Sequence, residues 1–226
     1  MTNNIMKTFN KATPAMIRNG VAWYKRAKRE CNQIAKDTGL PLWKVVGVAS
    51  ALSPNNKWDR NVLDARNMCE AYVNNAYADI WRVKVCTYNP NKRKALLVLG
   101  LSNVGQVKSL LNGKKIVAFY SCIMGEDTCV VDGHAKNIYY GKRYTLTDSK
   151  SNVGVREYKL IADAYIATAK AVNSIMKRKT VIYRNPVAKA MLQERQPPKV
   201  IPPKKGGKAK RNRKEDNRNA IRENES

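Results

Sequence analysis

Apolar residues recur every three or four positions through most of the chain up to Met176, which is the spacing of one face of an α-helix. The clearest case begins at Thr13-Pro14, a side-chain cap followed by a first-turn proline, and ends at Gly39. A second, almost wholly apolar helix is predicted over Leu42–Leu52, because Ser53-Pro54 interrupts the pattern directly afterwards.

The same spacing predicts further helices, one starting near Asp59, a basic one over residues 91–99, one over residues 116–124 and a long one from Tyr158 to Met176. Two short segments, residues 128–131 and 180–183, are ambiguous because each is also compatible with a strand. The pattern therefore predicts an all-α domain of about eight to ten helices over residues 1–190, enough for a bundle with a groove.

Charge is the property of the composition that narrows the function most. The chain has 43 Lys and Arg against 17 Asp and Glu, a net charge of +26, of which residues 1–195 carry +20. Such an excess favours a polyanionic partner, and double-stranded DNA is the first candidate, because neutralised phosphates release counterions. RNA, an anionic membrane surface and a merely solvated surface are the alternatives.

The end of the chain differs from the rest in composition. Residues 191–226 combine paired prolines, a Gly-Gly step and charges of both signs with few apolar side chains, so we expect a disordered basic tail. Either a flexible DNA-binding arm or an idle solvated tail fits this composition.

The remaining composition argues against several classes of protein. Five cysteines without a CxxC pair, together with a single histidine, predict no disulfide framework, no metal site and no cofactor. The N-terminus lacks the apolar core of a signal peptide, and no apolar run approaches the ~18 residues of a membrane span. We therefore expect a cytoplasmic protein that is neither secreted nor in a membrane; its oligomeric state is left open.

Three polar motifs follow one another along the chain. The first is the loop Ser53-Pro54-Asn55-Asn56-Lys57-Trp58, between two predicted helices. The second is Leu111-Asn112-Gly113-Lys114-Lys115, whose two lysines open an apolar helix, and the third is Val131-Asp132-Gly133-His134, which contains the histidine.

In this order the motifs resemble those of the helix-hairpin-helix (HhH-GPD) DNA glycosylases, in which a hairpin, a catalytic lysine and a catalytic aspartate follow one another. The likeness spans about residues 42–141. The combination of the three motifs is also similar to that of bacteriophage members of the superfamily. It implies an all-α glycosylase-like fold and a DNA N-glycosylase that excises a modified or mismatched base, with or without AP-lyase strand scission. A phage protein would work in the host cytoplasm.

The resemblance also assigns roles to residues. Asp132 falls on the catalytic aspartate and His134 on the histidine that commonly follows it. Counting back from Asp132 gives Lys114 as the family lysine, whereas aligning the hairpin glycines gives Lys115, so both are candidates. The hairpin departs from the family pattern, because it lacks the Leu-Pro start and retains only Gly113.

The residue types suit this chemistry on physical grounds. A base inside a duplex must be turned out of the stack before its sugar bond is accessible. The carboxylate of Asp132 would stabilise the positive charge that develops on the sugar, or deprotonate a water. A helix that begins at Gly113-Lys114-Lys115 offers N–H groups and ammonium groups to a phosphate, and a neutral lysine there would attack the sugar to form a Schiff base.

The predicted DNA contacts are the loop residues Asn55, Asn56, Lys57 and Trp58, together with Gly113 and Lys136. Each candidate has a structural alternative. Asp132 is also suited to capping a helix, His134 to a structural hydrogen bond and Trp58 to packing in the core. At the level of function, the alternatives are a non-catalytic DNA-binding protein of phage origin on the same fold and a phage enzyme of nucleotide or base hypermodification.

Overall fold

The structure, a computed structural model, describes residues 2–74, 80–145 and 147–175. Within these ranges the chain forms nine α-helices, two 3₁₀ turns (Val104–Gln106 and Ser149–Ser151) and no strand. The helices are α1 (Thr2–Phe9), α2 (Pro14–Thr38), α3 (Leu42–Leu52), α4 (Trp58–Val73), α5 (Asn89–Gly100), α6 (Val107–Leu111), α7 (Lys114–Met124), α8 (Gly133–Tyr140) and α9 (Val155–Ile175). The prediction of an all-α chain is therefore confirmed for the described residues. The predicted tail and residues 180–183 lie outside them.

Local sequence features explain where the predicted helices begin and end. At the start of α2 the Thr13 hydroxyl accepts the Met16 N–H at 3.2 Å, and Gly39 ends the helix with a positive φ of 70°. The bounds of α3 agree with the prediction, whereas α7 begins two residues before the predicted start at Ile116. Residues 128–131, which had been compatible with a strand, have no regular secondary structure.

The larger of two hydrophobic cores surrounds α3. Every residue of this helix from Val45 to Leu52 is buried, and the helix contacts α2, α4, α5, α6 and α7. The close approach of α5 depends on Gly47, where an added Cβ would lie 2.7 Å from Cγ1 of Val98.

The smaller core lies where α1, α8 and α9 meet. Its buried members include Ile5 from α1, Ala135 from α8 and Ile161 from α9, together with Val131 from the segment before α8. The half-buried ring of Tyr158 packs against both cores, so this residue lies at their junction.

Crossing a bilayer takes about 20 mostly apolar helical residues. None of the helices in the described part of the chain has the length and apolar composition for this.

Candidate functional site

The second motif forms a hairpin of two helices. Helices α6 and α7 are joined by Asn112 and Gly113, which both have positive φ values, 43° and 105°. The first N–H groups of α7 have no partner within the helix, and Gly113 has no side chain that could cap them. The Lys94 ammonium donates to the Leu111 carbonyl at 2.7 Å and fastens the hairpin to α5. The result is an exposed helix N-terminus next to two lysines.

The two candidate lysines differ in their surroundings. Both Lys114 and Lys115 are exposed at the start of α7. The Lys114 ammonium donates to the Val155 carbonyl at 3.1 Å, which ties this residue to the first turn of α9. Lys115 follows directly, so both residues lie in the first turn of α7 and both stay candidates for the family lysine.

Asp132 lies at the N-cap position of α8. Its Oδ1 accepts the Ala135 N–H at 3.0 Å, and the residue is half-buried. Burial, together with a smaller contribution from the charge of Asp132, raises the pKa of the Tyr165 hydroxyl and of the Cys129 thiol. The helix-cap interpretation of Asp132 is confirmed, and its catalytic role stays a prediction, because one carboxylate can serve both purposes.

The other two predicted residues of this region lie on α8. His134 is half-buried in the first turn, two positions after Asp132. The Lys136 ammonium donates to the Asn152 carbonyl at 2.6 Å and to Oε2 of Glu157 at 3.0 Å. Burial opposes the charge of Glu157, but hydrogen bonds from Lys136, the Gly154 N–H and Tyr140 outweigh it and lower the pKa of this carboxyl. Lys136 is thus engaged within the chain, so its predicted contact with DNA would require it to leave this ion pair.

Tyr158 connects the hairpin to the segment before Asp132. Its hydroxyl oxygen lies 3.2 Å from the Val131 nitrogen, from which it accepts, and 3.0 Å from the Cys129 carbonyl oxygen. It is also within 3.4 Å of the carbonyl oxygen of Lys114. Burial raises the pKa of the Tyr158 hydroxyl to about 12, so it stays protonated at neutral pH. The sequence pattern identified Tyr158 only as one apolar-face position of a long helix, and nothing in that pattern signalled these contacts.

A buried carboxylate, which the sequence analysis did not identify, accepts a hydrogen bond from the loop of the first motif. Asp64 of α4 is fully buried and accepts the Asn56 amide at 3.1 Å, the Arg60 guanidinium at 2.8 Å and the Cys86 N–H at 2.7 Å. The aspartate stands within the pattern of a helix that packs against the core, and this position could have indicated its role. A buried carboxylate needs hydrogen-bond or ion-pair partners, so its presence there predicts such partners. The amide of Asn56 is therefore directed into the protein.

The remaining loop residues are arranged differently. Asn55, with a positive φ of 57°, and Lys57 are exposed. The ring of Trp58 packs 5.1 Å from that of Trp23 and 6.1 Å from that of Phe119, measured between ring centroids. The core-packing interpretation of Trp58 is confirmed, and Asn55 and Lys57 are the members of this loop that are exposed to a partner.

Helix α7 brings the three motifs together. Its N-terminus carries Lys114 and Lys115, its first turn is linked through Tyr158 to the segment before Asp132, and its Phe119 touches Trp58 at the end of the first motif. All five cysteines are free. Among the residues that the structure describes, no group of three or more His, Cys, Asp and Glu side chains is placed to hold a metal ion.

Comparison with known proteins gives one family. The model of a family described as "Family of unknown function (DUF7178)" matches residues 1–178. No curated protein and no solved structure matches the chain.

Proposed function

We propose that this chain, which belongs to the family of unknown function DUF7178, binds double-stranded DNA and hydrolyses a base–sugar bond with the carboxylate of Asp132. The observation that carries the proposal is the α6–α7 hairpin, whose uncapped end bears two lysines and lies within 3.4 Å of the Tyr158 hydroxyl, which also contacts the segment directly before the half-buried Asp132. A helix end suited to an anion, together with a carboxylate that follows the segment bound by Tyr158, supports the resemblance to helix-hairpin-helix DNA glycosylases.

Charge and helix geometry support binding to phosphate. Residues 1–195 carry a net charge of +20. At the start of α7, N–H groups without helical partners and the positive end of the helix dipole lie at an exposed helix end that also carries Lys114 and Lys115. A backbone phosphate fits this helix end, and such contacts position a protein on DNA without reading its sequence. Asn55 and Lys57, which are exposed in the loop of the first motif, would add further contacts.

The environment of Asp132 supports the chemical step. Cleavage of a base–sugar bond develops positive charge on the sugar, which a fixed carboxylate stabilises more strongly in a partly desolvated site than in water. Because the N-cap bond holds Oδ1 in place, the carboxylate would not need to reorganise during the reaction. Asp132 would also serve as the base for an attacking water. In a lyase variant of the mechanism, the neutral amine of Lys114 or Lys115 would attack the anomeric carbon and displace the base, which leaves with the electron pair of the base–sugar bond and takes a proton from water.

A non-catalytic DNA-binding protein is the second candidate. It is favoured by the departures of the hairpin from the glycosylase pattern and by the engagement of Lys114 with the Val155 carbonyl. In that case the helix end and the basic surface would bind DNA, while Asp132 would only cap α8.

One experiment distinguishes the two candidates. Duplexes that contain uracil, oxidised, alkylated or hypermodified bases are incubated with the protein, treated with alkali and examined for strand breaks. We expect breaks with the wild type and none with Asp132→Asn, which keeps the helix cap. Breaks that persist in Asp132→Asn would refute the role of this carboxylate, and tight binding without breaks on any duplex would favour the non-catalytic candidate.

Borohydride trapping tests the lysine. A covalent adduct that disappears in Lys114→Met or in Lys115→Met would identify the attacking amine. Cleavage without an adduct would assign the reaction to water.

A further inference from the structure

We infer that the hydroxyl of Tyr158 is a positioning group, which holds the lysine-bearing end of α7 in register with Asp132. The inference rests on the proposed function in one respect, since it treats Lys114 and Asp132 as parts of one site. Tyr158 itself belongs to α9, a helix that carries none of the predicted site residues.

The contacts of the hydroxyl join the first turn of α7 to the segment before Asp132. On one side it lies 3.4 Å from the carbonyl oxygen of Lys114, in the first turn of α7, and this oxygen shares the single hydroxyl proton with the nearer Cys129 carbonyl. On the other side it accepts the Val131 N–H at 3.2 Å and lies 3.0 Å from the Cys129 carbonyl oxygen, directly before Asp132. The ring packs against both hydrophobic cores, so the hydroxyl is held where the two cores meet.

The segment before Asp132 needs such a partner. Residues 128–131 have no regular secondary structure, and Cys129 and Val131 are buried, so their backbone groups require hydrogen bonds from elsewhere. The Tyr158 hydroxyl serves one backbone group of each residue, the N–H of Val131 and the carbonyl of Cys129. Without that oxygen, the backbone that carries Asp132 would be free to shift relative to α7, and a displacement of about 1 Å in a reacting group lowers rates by up to about 100-fold.

The chain offers a matched control on the same helix. Tyr165 follows seven positions later, on the same face of α9, and its hydroxyl donates to the Ala135 carbonyl at 3.2 Å in a buried contact. Tyr165→Phe therefore removes a buried tyrosine hydroxyl from the same region. It leaves the link between Lys114 and the segment before Asp132 intact.

The test compares the full-length wild type with Tyr158→Phe and Tyr165→Phe. Hydrogen exchange at the Val131 amide measures whether the segment is held. Affinity for an intact duplex, and for the same duplex with a tetrahydrofuran abasic-site analogue, measures phosphate binding and sugar recognition separately. In Tyr158→Phe we expect exchange at Val131 about tenfold faster and a preference for the abasic duplex about tenfold smaller, with intact-duplex affinity unchanged within about twofold. Tyr165→Phe should retain both the slow exchange and the preference.

Each result decides the inference. Equal losses of abasic-duplex preference in the two variants would reduce Tyr158 to a structural role, and unchanged exchange at Val131 in Tyr158→Phe would overturn the positioning claim outright. If the wild type binds no duplex, or shows no preference for the abasic one, the proposed function fails. The exchange at Val131 then still decides whether the hydroxyl holds this segment.

Discussion

Substitutions of Asp132 separate its structural contribution from its proposed chemical one. Its Oδ1 accepts the Ala135 N–H at 3.0 Å at the N-cap of α8. Asparagine caps a helix about as well as aspartate, so Asp132→Asn should lose only the attraction between the carboxylate and the helix dipole, about 0.5 kcal/mol. Asp132→Ala also loses the cap hydrogen bond, worth about 1 kcal/mol, so its total loss should be about 1.5 kcal/mol.

Urea denaturation followed by far-ultraviolet circular dichroism measures these differences. Thr13→Ala, which removes the cap of α2 at 3.2 Å from the Met16 nitrogen, is a control far from the site and should lose about 1 kcal/mol. Under the proposed function, Asp132→Asn is then nearly as stable as the wild type but produces no strand breaks after alkali treatment. The reasoning is refuted if Asp132→Asn is as unstable as Asp132→Ala, because the carboxylate oxygen would then not be acting as a replaceable cap.

Three further outcomes are expected. Gly47→Ala should lower the free energy of unfolding by about 1–2 kcal/mol in urea, although alanine favours helices, because its Cβ would lie 2.7 Å from Cγ1 of Val98. A stabilised variant would contradict this, and Gly100→Ala, with no atom within 4 Å of the new Cβ, is the control. Glu157→Gln should reduce the loss of thermal stability on acidification. Burial raises the pKa of this carboxyl, but Lys136 and its other donors lower it further, below the ordinary 4.5. The contribution of Glu157 to the free energy of unfolding is therefore complete above about pH 4.5, and it is lost as pH falls through the lower pKa of the folded state. If the dependence of thermal stability on pH is the same in Glu157→Gln and in the wild type, the ion pair is contradicted. Finally, affinity for a random duplex should fall roughly a thousandfold between about 50 and 200 mM salt if about six phosphates are contacted, and a flat dependence would exclude electrostatic binding.

An exposed ion pair provides the control for the acid profile. Lys159 and Asp163 lie 2.6 Å apart on the surface of α9, where Asp163 is 58% exposed. Because exposed pairs contribute little, Asp163→Asn should leave the dependence of thermal stability on pH nearly unchanged.

Helix prediction succeeded where the deciding interactions are local. The cap at Thr13, the positive φ at Gly39 and the apolar run of α3 involve residues within a few positions of one another, and the predicted helices agree with the structure there. The apolar spacing placed the start of α7 two residues late, because Lys114 and Lys115 do not continue it, whereas the Gly113-Lys114-Lys115 motif placed the start correctly. A first helical turn does not need an apolar residue.

Residues 128–131 show the limit of local reasoning. A threonine and two valines favour an extended backbone, but a strand also requires a neighbouring strand to bond with. Here the N–H of Val131 bonds to the hydroxyl of Tyr158, which lies on another helix. No rule that uses only neighbouring residues anticipates that partner.

The chain by itself determined its helical class, its basic charge and the order of the three motifs, since these depend on composition and on contacts within a few residues. Only the tertiary structure decided what the side chains in those motifs do. It directs Asn56 to Asp64, packs Trp58 against Trp23 and pairs Lys136 with Glu157. Each partner lies on a different turn or helix, and the packing of the two cores brings the members of each pair within bonding distance.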